Sequence, residues 1–112
     1  MTRLAFRREH AGRYFAADGT YQYALSASDH RPGAGRWLLQ VRELTTTSGV
    51  RHALGQPVID YATAATKAEM VAVANVYSAF GDDYQPSEHD GDGRMLAAIR
   101  VAYDELVAAG RN

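Results

Sequence analysis

A chain of 112 residues with 46% hydrophobic side chains and a net charge of −1 has material for one hydrophobic core and too little for two, so residues 1–112 are expected to fold as a single domain. Its lack of cysteine excludes disulfides and thiolate metal sites, and its near balance of charge excludes a field that would hold a polyanion without a shaped site. No apolar run reaches the roughly 18 residues that would cross a bilayer, and the first residues lack an uninterrupted apolar segment of signal-peptide length, which points to the cytoplasm.

The opening residues 4–8 can add a short strand, although Arg7, Arg8, Glu9 and His10 are too polar for burial. Residues 12–17 and 20–27 flank Asp18 and Gly19, a pair that accepts the positive backbone angles of a two-residue hairpin turn. That closure sets Ala17 opposite Thr20 and Tyr14 opposite Tyr23. It places Tyr14, Tyr21, Tyr23 and Leu25 on one face and Arg13, Phe15, Gln22 and Ala24 on the other. A breaker-rich loop over residues 28–35 leads to a strand over 36–44, in which Trp37, Leu39 and Val41 point one way and Arg36, Leu38, Gln40 and Arg42 the other. Residues 45–49 turn the chain and 50–54 return as a strand, which Pro57 stops because proline cannot donate to a ladder. Residues 58–61 read as a last short edge strand or as an extended entry to a helix.

That helix spans 67–80. Thr66 and Glu69 form a capping box, Gly81 supplies the stop, and Met70, Val73, Ala74, Tyr77 and Phe80 recur at helical spacing. A second helix spans 94–109 with Met95, Leu96, Ile99, Ala102, Tyr103 and Leu106 as its apolar stripe, Asp92 as its cap and Gly110 as its end. The expected fold class is α+β: an N-terminal antiparallel sheet of three or four strands packed on one face by two C-terminal helices.

Acidic side chains concentrate between the helices, where five carboxylates and one imidazole fall between Asp82 and Asp92. A hard cation needs several such oxygens, yet Arg94, Met95 and Val101 occupy the positions where a helix-loop-helix calcium site requires a ligand, a glycine and a bidentate glutamate. These acids instead suit the positive N-terminus of the following helix. His10, His30, His52 and His89 show no zinc spacing, and no cysteine nucleophile or serine elbow exists. Gly33 and Gly35 precede a strand, whereas a phosphate cradle opens a helix. Catalytic residues, metal ligands and cofactors are therefore not expected, nor is an enzyme.

Charge is divided along the chain. Residues 1–51 hold eight arginines against four acids, and residues 52–112 hold four basic side chains against nine acids. Opposed halves can pair between copies or steer a charged partner, so the leading expectation is a small binding protein acting through protein–protein contact or self-association. An accessory protein of a phage or other mobile element fits such a short, motif-poor, arginine-biased chain. The alternative is a nucleic-acid-binding module: with the tyrosines inside, Arg13, Gln22, Arg36, Gln40 and Arg42 become the outer face of the sheet, a surface that can lie against phosphates.

Overall fold

The computed structural model describes residues 3–10, 12–27, 37–81 and 93–110. Its elements in chain order are β1 (Arg7–His10), β2 (Arg13–Ala17), β3 (Tyr21–Ala27), β4 (Trp37–Glu43), β5 (Thr45–Thr47), β6 (Val50–His52), β7 (Val58–Ala64), α1 (Lys67–Ala79) and α2 (Gly93–Gly110). Arg36, the breaker-rich loop with His30, and the acidic segment 82–92 with His89 and the Asp92 cap lie outside the described residues.

Alternating apolar side chains build the centre. β3 and β4 pair antiparallel with Tyr23 opposite Val41 and Leu25 opposite Leu39, and all four side chains are fully buried. Outward from this pair the sheet runs β1-β2-β3-β4-β7, antiparallel throughout. Its inner face is covered by α1, whose Met70, Val73, Ala74 and Tyr77 pack on the strand residues, and α2 packs on α1 and over β7 through Met95, Ala98 and Ala102. The fold is thus α+β, with the N-terminal sheet covered on one face by the C-terminal helices. Each large apolar side chain buried in this layer contributes about 1.5–3 kcal/mol. Truncating Leu39 at its centre would cost about 2–5 kcal/mol.

The β2–β3 hairpin closes two residues later than a two-residue Asp18-Gly19 turn demands. Ala17 faces Gln22, Ala16 faces Tyr23 and Tyr14 faces Leu25. The cause is the Asp18 carboxylate, whose Oδ1 accepts the backbone N–H groups of Thr20 (2.8 Å) and Tyr21 (2.7 Å) and so wraps a longer turn around itself. A shift of two residues preserves the side-chain alternation, so Tyr14, Tyr21, Tyr23 and Leu25 still share the inner face. A turn with both central residues left-handed forms instead at Ser48 (φ 51°) and Gly49 (φ 79°), between β5 and β6. The return strand over residues 50–54 consequently pairs with Thr45–Thr47 as a separate hairpin and does not join the main sheet.

The main sheet has five strands: the first lies at Arg7–His10 and not over residues 4–8, since an exposed edge tolerates its polar side chains, and residues 58–61 join at the other edge. Residues 58–61 are the first part of β7, which continues through Ala64 as Ala62 and Ala64 fit beneath the helices beside Leu39 and Trp37. Helix α1 starts where its cap predicts, with Thr66 Oγ1 accepting the Glu69 N–H at 3.2 Å. The contact seam of α2 is narrower than its apolar stripe: Met95, Ala98 and Ala102 are buried, while Tyr103 and Leu106 stay over a third exposed. The small side chains at 98 and 102 bring the two helices close, and the bulkier residues flank that approach. Among the described residues no helix is long and apolar enough to cross a membrane.

Candidate functional site: an arginine-lined cleft

Antiparallel pairing arranges the outer face of the sheet in rows. One row runs Arg7, Phe15, Ala24, Gln40 and Tyr61 across β1, β2, β3, β4 and β7; the next sets Gln22 beside Arg42 and Val58; a third sets Arg13 beside Ser26 and Leu38. A turn after β6 then rises along this face. Gln56 N–H closes it on the Ala53 carbonyl at 3.0 Å, and Gly55 takes φ 77°, a conformation that would strain any other residue.

Sheet and turn together enclose an open cleft of about 690 Å³, lined by Arg7, Arg8, Glu9, Arg13, Phe15, Gln22 and Arg42 from the strands and by His52, Ala53, Leu54, Gly55 and Gln56 from the turn. Arg7, Arg13 and Arg42 therefore stand on the outer face along one concavity, with Arg8, paired to the inward-facing Tyr14, lining only its edge, and with one carboxylate, Glu9, among them. Arg13 lies over the half-buried Phe15 ring, its central carbon 5.5 Å from the ring centre. Among the described residues none of the four arginines makes an ion pair. Their planar forks can each give two parallel hydrogen bonds to a phosphate or carboxylate.

The structure brings Arg13, Gln22 and Arg42 together in this cleft. Gln40 shares their face but stands in the neighbouring row beside Ala24, outside the lining. Arg7 and Arg8 complete the lining, and no sequence pattern points to them, because their segment is too polar to show a strand's alternation. On the opposite wall His52 is held by its surroundings: Nδ1 accepts the Leu54 N–H at 3.1 Å, and Nε2 meets Thr47 Oγ1 at 2.9 Å. Arg51, the next basic residue, is tied away from the cleft, donating to the Gly19 carbonyl at 2.6 Å.

A second polar cluster lies at the end of the inner layer. Besides the two backbone groups, Asp18 accepts from the Tyr23 hydroxyl (2.7 Å) and the Ser78 hydroxyl (2.6 Å), both on Oδ2. Burial raises the Asp18 carboxyl, but the donors, Ser78 foremost, outweigh it and hold the group below the usual carboxylate value. The same neighbourhood pushes Tyr23 up, by burial and then by its bond to Asp18. Arg94, from the first turn of α2, donates to the Tyr77 carbonyl and to the Tyr21 hydroxyl (3.4 Å), its guanidinium 4.3 Å from the Tyr77 ring centre. Tyr77 in turn donates to Asp60 at 3.3 Å, and burial raises the carboxyl of Asp60.

These bonds join the β2–β3 turn, α1, α2 and β7. An ionised carboxylate with every lone pair engaged is a poor base, and no imidazole stands beside Ser78 among its bonded partners, so the cluster locks elements together and offers no activated nucleophile. Its long-range partners left no spacing signal: Asp18 and Ser78 are sixty positions apart. Among the described residues no group of three or more metal-ligating side chains stands together. Comparison with protein-family models, with curated proteins and with solved structures finds no match to the chain.

Proposed function

We propose that the chain is a binding protein without chemistry of its own and that the arginine cleft takes the phosphate backbone of a nucleic acid. The observation that carries this reading is the gathering of Arg7, Arg13 and Arg42 on one concave surface, with Arg8 at its edge, in a chain whose net charge is only −1. A chain-wide field is too weak to gather a polyanion, so binding must come from local concentration of charge with fixed geometry. The reading requires a compartment where nucleic acid is accessible, which agrees with the cytoplasmic expectation.

The test is fluorescence anisotropy with a labelled oligonucleotide, single- or double-stranded, across a salt series. Counterion release gives a log–log salt slope of about −0.9 per duplex phosphate neutralised, hence about −2.7 if each of the three outer-face arginines takes one. Arg13→Ala combined with Arg42→Ala lowers affinity at low salt by about tenfold or more and flattens the slope by about two. Loss of Arg100, on the far side of the molecule in α2, leaves both unchanged. Absence of binding at low salt defeats the proposal, and equal competition by polyglutamate would reassign the cleft to an acidic protein surface.

A further inference from the structure

We infer that β7 is a self-pairing edge: two copies of the chain join antiparallel, β7 against β7, about a two-fold axis perpendicular to the sheet, into one continuous sheet with both helical layers on the same side. Hydrogen bonding is the first argument. β7 ends the strand order and pairs only with β4, and among the described residues no backbone group outside the sheet bonds to its free side. The Tyr61 N–H is turned away from β4 and uses the side chain of its own neighbour, Asp60 Oδ1 at 3.1 Å, as a substitute acceptor. Alternation along an antiparallel strand then directs the Thr63 N–H outward as well. Donors and acceptors in such a row are matched by another strand.

The second argument is what the edge lacks. Natural edges are protected by charged side chains, proline, bulges or short length. β7 runs seven residues with no basic residue and no proline, and its one irregularity lies at the start, opposite the Val41–Arg42 step. Its one charged residue, Asp60, divides its carboxylate, Oδ2 accepting from Tyr77 inside and Oδ1 from the N–H of Tyr61. Ile59 and Tyr61 remain 45% and 67% exposed.

A second copy is the occupant that the charges favour. With the axis at Tyr61, Asp60 of each copy faces Ala62 of the other, so no like charges oppose one another, and the exposed Tyr61 side chains approach on the outer face. The axis also sets the two α2 helices side by side, since α2 packs over β7, and α2 carries Tyr103, Leu106 and Val107 exposed by 37%, 37% and 53%. Both arginine clefts would then open on one side of the joined sheet. An interface built on one edge strand falls at the small end of specific interfaces, below about 1,200 Å² in total, and is correspondingly weak.

Sedimentation velocity and light scattering on the full chain over rising concentration, without nucleic acid, decide the matter. The expected result is a concentration-dependent rise from the monomer mass of 12.2 kDa toward twice that value. Tyr61→Lys places a cation at an exposed edge position and holds the chain at monomer mass; Thr63→Pro removes an outward N–H that the main sheet does not use and does the same. Arg8→Thr on the opposite edge, and the Arg13/Arg42 double variant, dimerise as the parent does. Circular dichroism confirms that each variant is folded, and if Thr63→Pro is not, Tyr61→Lys decides alone. Monomer mass for the parent at every concentration overturns the inference, as does a folded Tyr61→Lys variant that dimerises undiminished.

Discussion

The two edges of the sheet are built in opposite ways. β1 presents four exposed polar residues, Arg7, Arg8, Glu9 and His10, in a short strand whose register with β2 slips between Arg8 and His10. β7 is longer, regular over most of its length, and carries a single charged residue, Asp60. The difference follows from what each edge is backed by. β7 lies under α2 and must place Ala62 and Ala64 in the core, so its inner positions are small and its outer ones are left uncharged. β1 reaches beyond the helical cover, and its arginines line the cleft, Arg7 from the outer face and Arg8 from the edge. One edge thus concentrates charge, while the other leaves outward-facing backbone groups on a regular strand.

The largest expected effect comes from separating the two ends. Asp18→Ala removes an acceptor that four donors share and leaves the Tyr23 hydroxyl buried without it, a loss of about 3 kcal/mol in chemical denaturation. Hydrogen exchange should show the loss of protection concentrated in β1, β2 and the start of β3, with β4 and β7 retaining theirs. Uniform loss would mean that the sheet is a single cooperative unit and that the contrast between its ends is only a surface property.

Binding gives the next effect. The Arg13/Arg42 double variant loses about 1.4 kcal/mol or more in oligonucleotide affinity, the tenfold change described above, while its self-association is unchanged. A fall in both would tie the ends together. Thr66→Ala, at the join between β7 and α1, should cost about 1 kcal/mol in stability by leaving the Glu69 N–H without its cap, with no change in binding.

The smallest effect is one of pH. Asp18 is held below its ordinary value of 3.8, so its contribution to stability is complete above that value and is lost as pH falls through the lower folded-state value. Asp60 is raised, so the folded state binds its proton more readily and stability from this group declines as pH rises from 3.8 through its folded value. Acid unfolding of Asp18→Ala should therefore lose the steep limb below about pH 4, and Asp60→Asn should remove the opposing slope just above it. Denaturant midpoints taken across that range read both signs.

Much of this was legible in the residues. Trp37, Leu39 and Val41 announce a strand with one wet face, Thr66 and Glu69 announce a helix start, and the tyrosine face went inward as its Leu25 neighbour requires. What escaped depended on side chains acting over distance or against propensity. Asp18 captures two backbone amides and moves the hairpin register by two, which no turn dipeptide encodes. Ala62, Thr63 and Ala64 extend β7 because small residues fit under the helices, although alanine disfavours strands. The cleft was half visible: alternation put Arg13, Gln22 and Arg42 on one face, but Arg7 and Arg8 joined them only through the doubtful first strand, and the wall arose from a turn that folds back over the sheet. Arg94 reaches Tyr21 across most of the chain, a contact that sequence spacing cannot carry.

The most direct measurement is an NMR titration of the arginine side-chain Nε–H signals with an oligonucleotide at low salt. The Nε–H resonances of Arg7, Arg13 and Arg42 should shift together along one binding curve, while those of Arg94, held by Tyr77 and Tyr21, and of Arg100 on α2 stay in place. Shifts confined to the helical arginines, or none in the three on the outer face, would contradict the account.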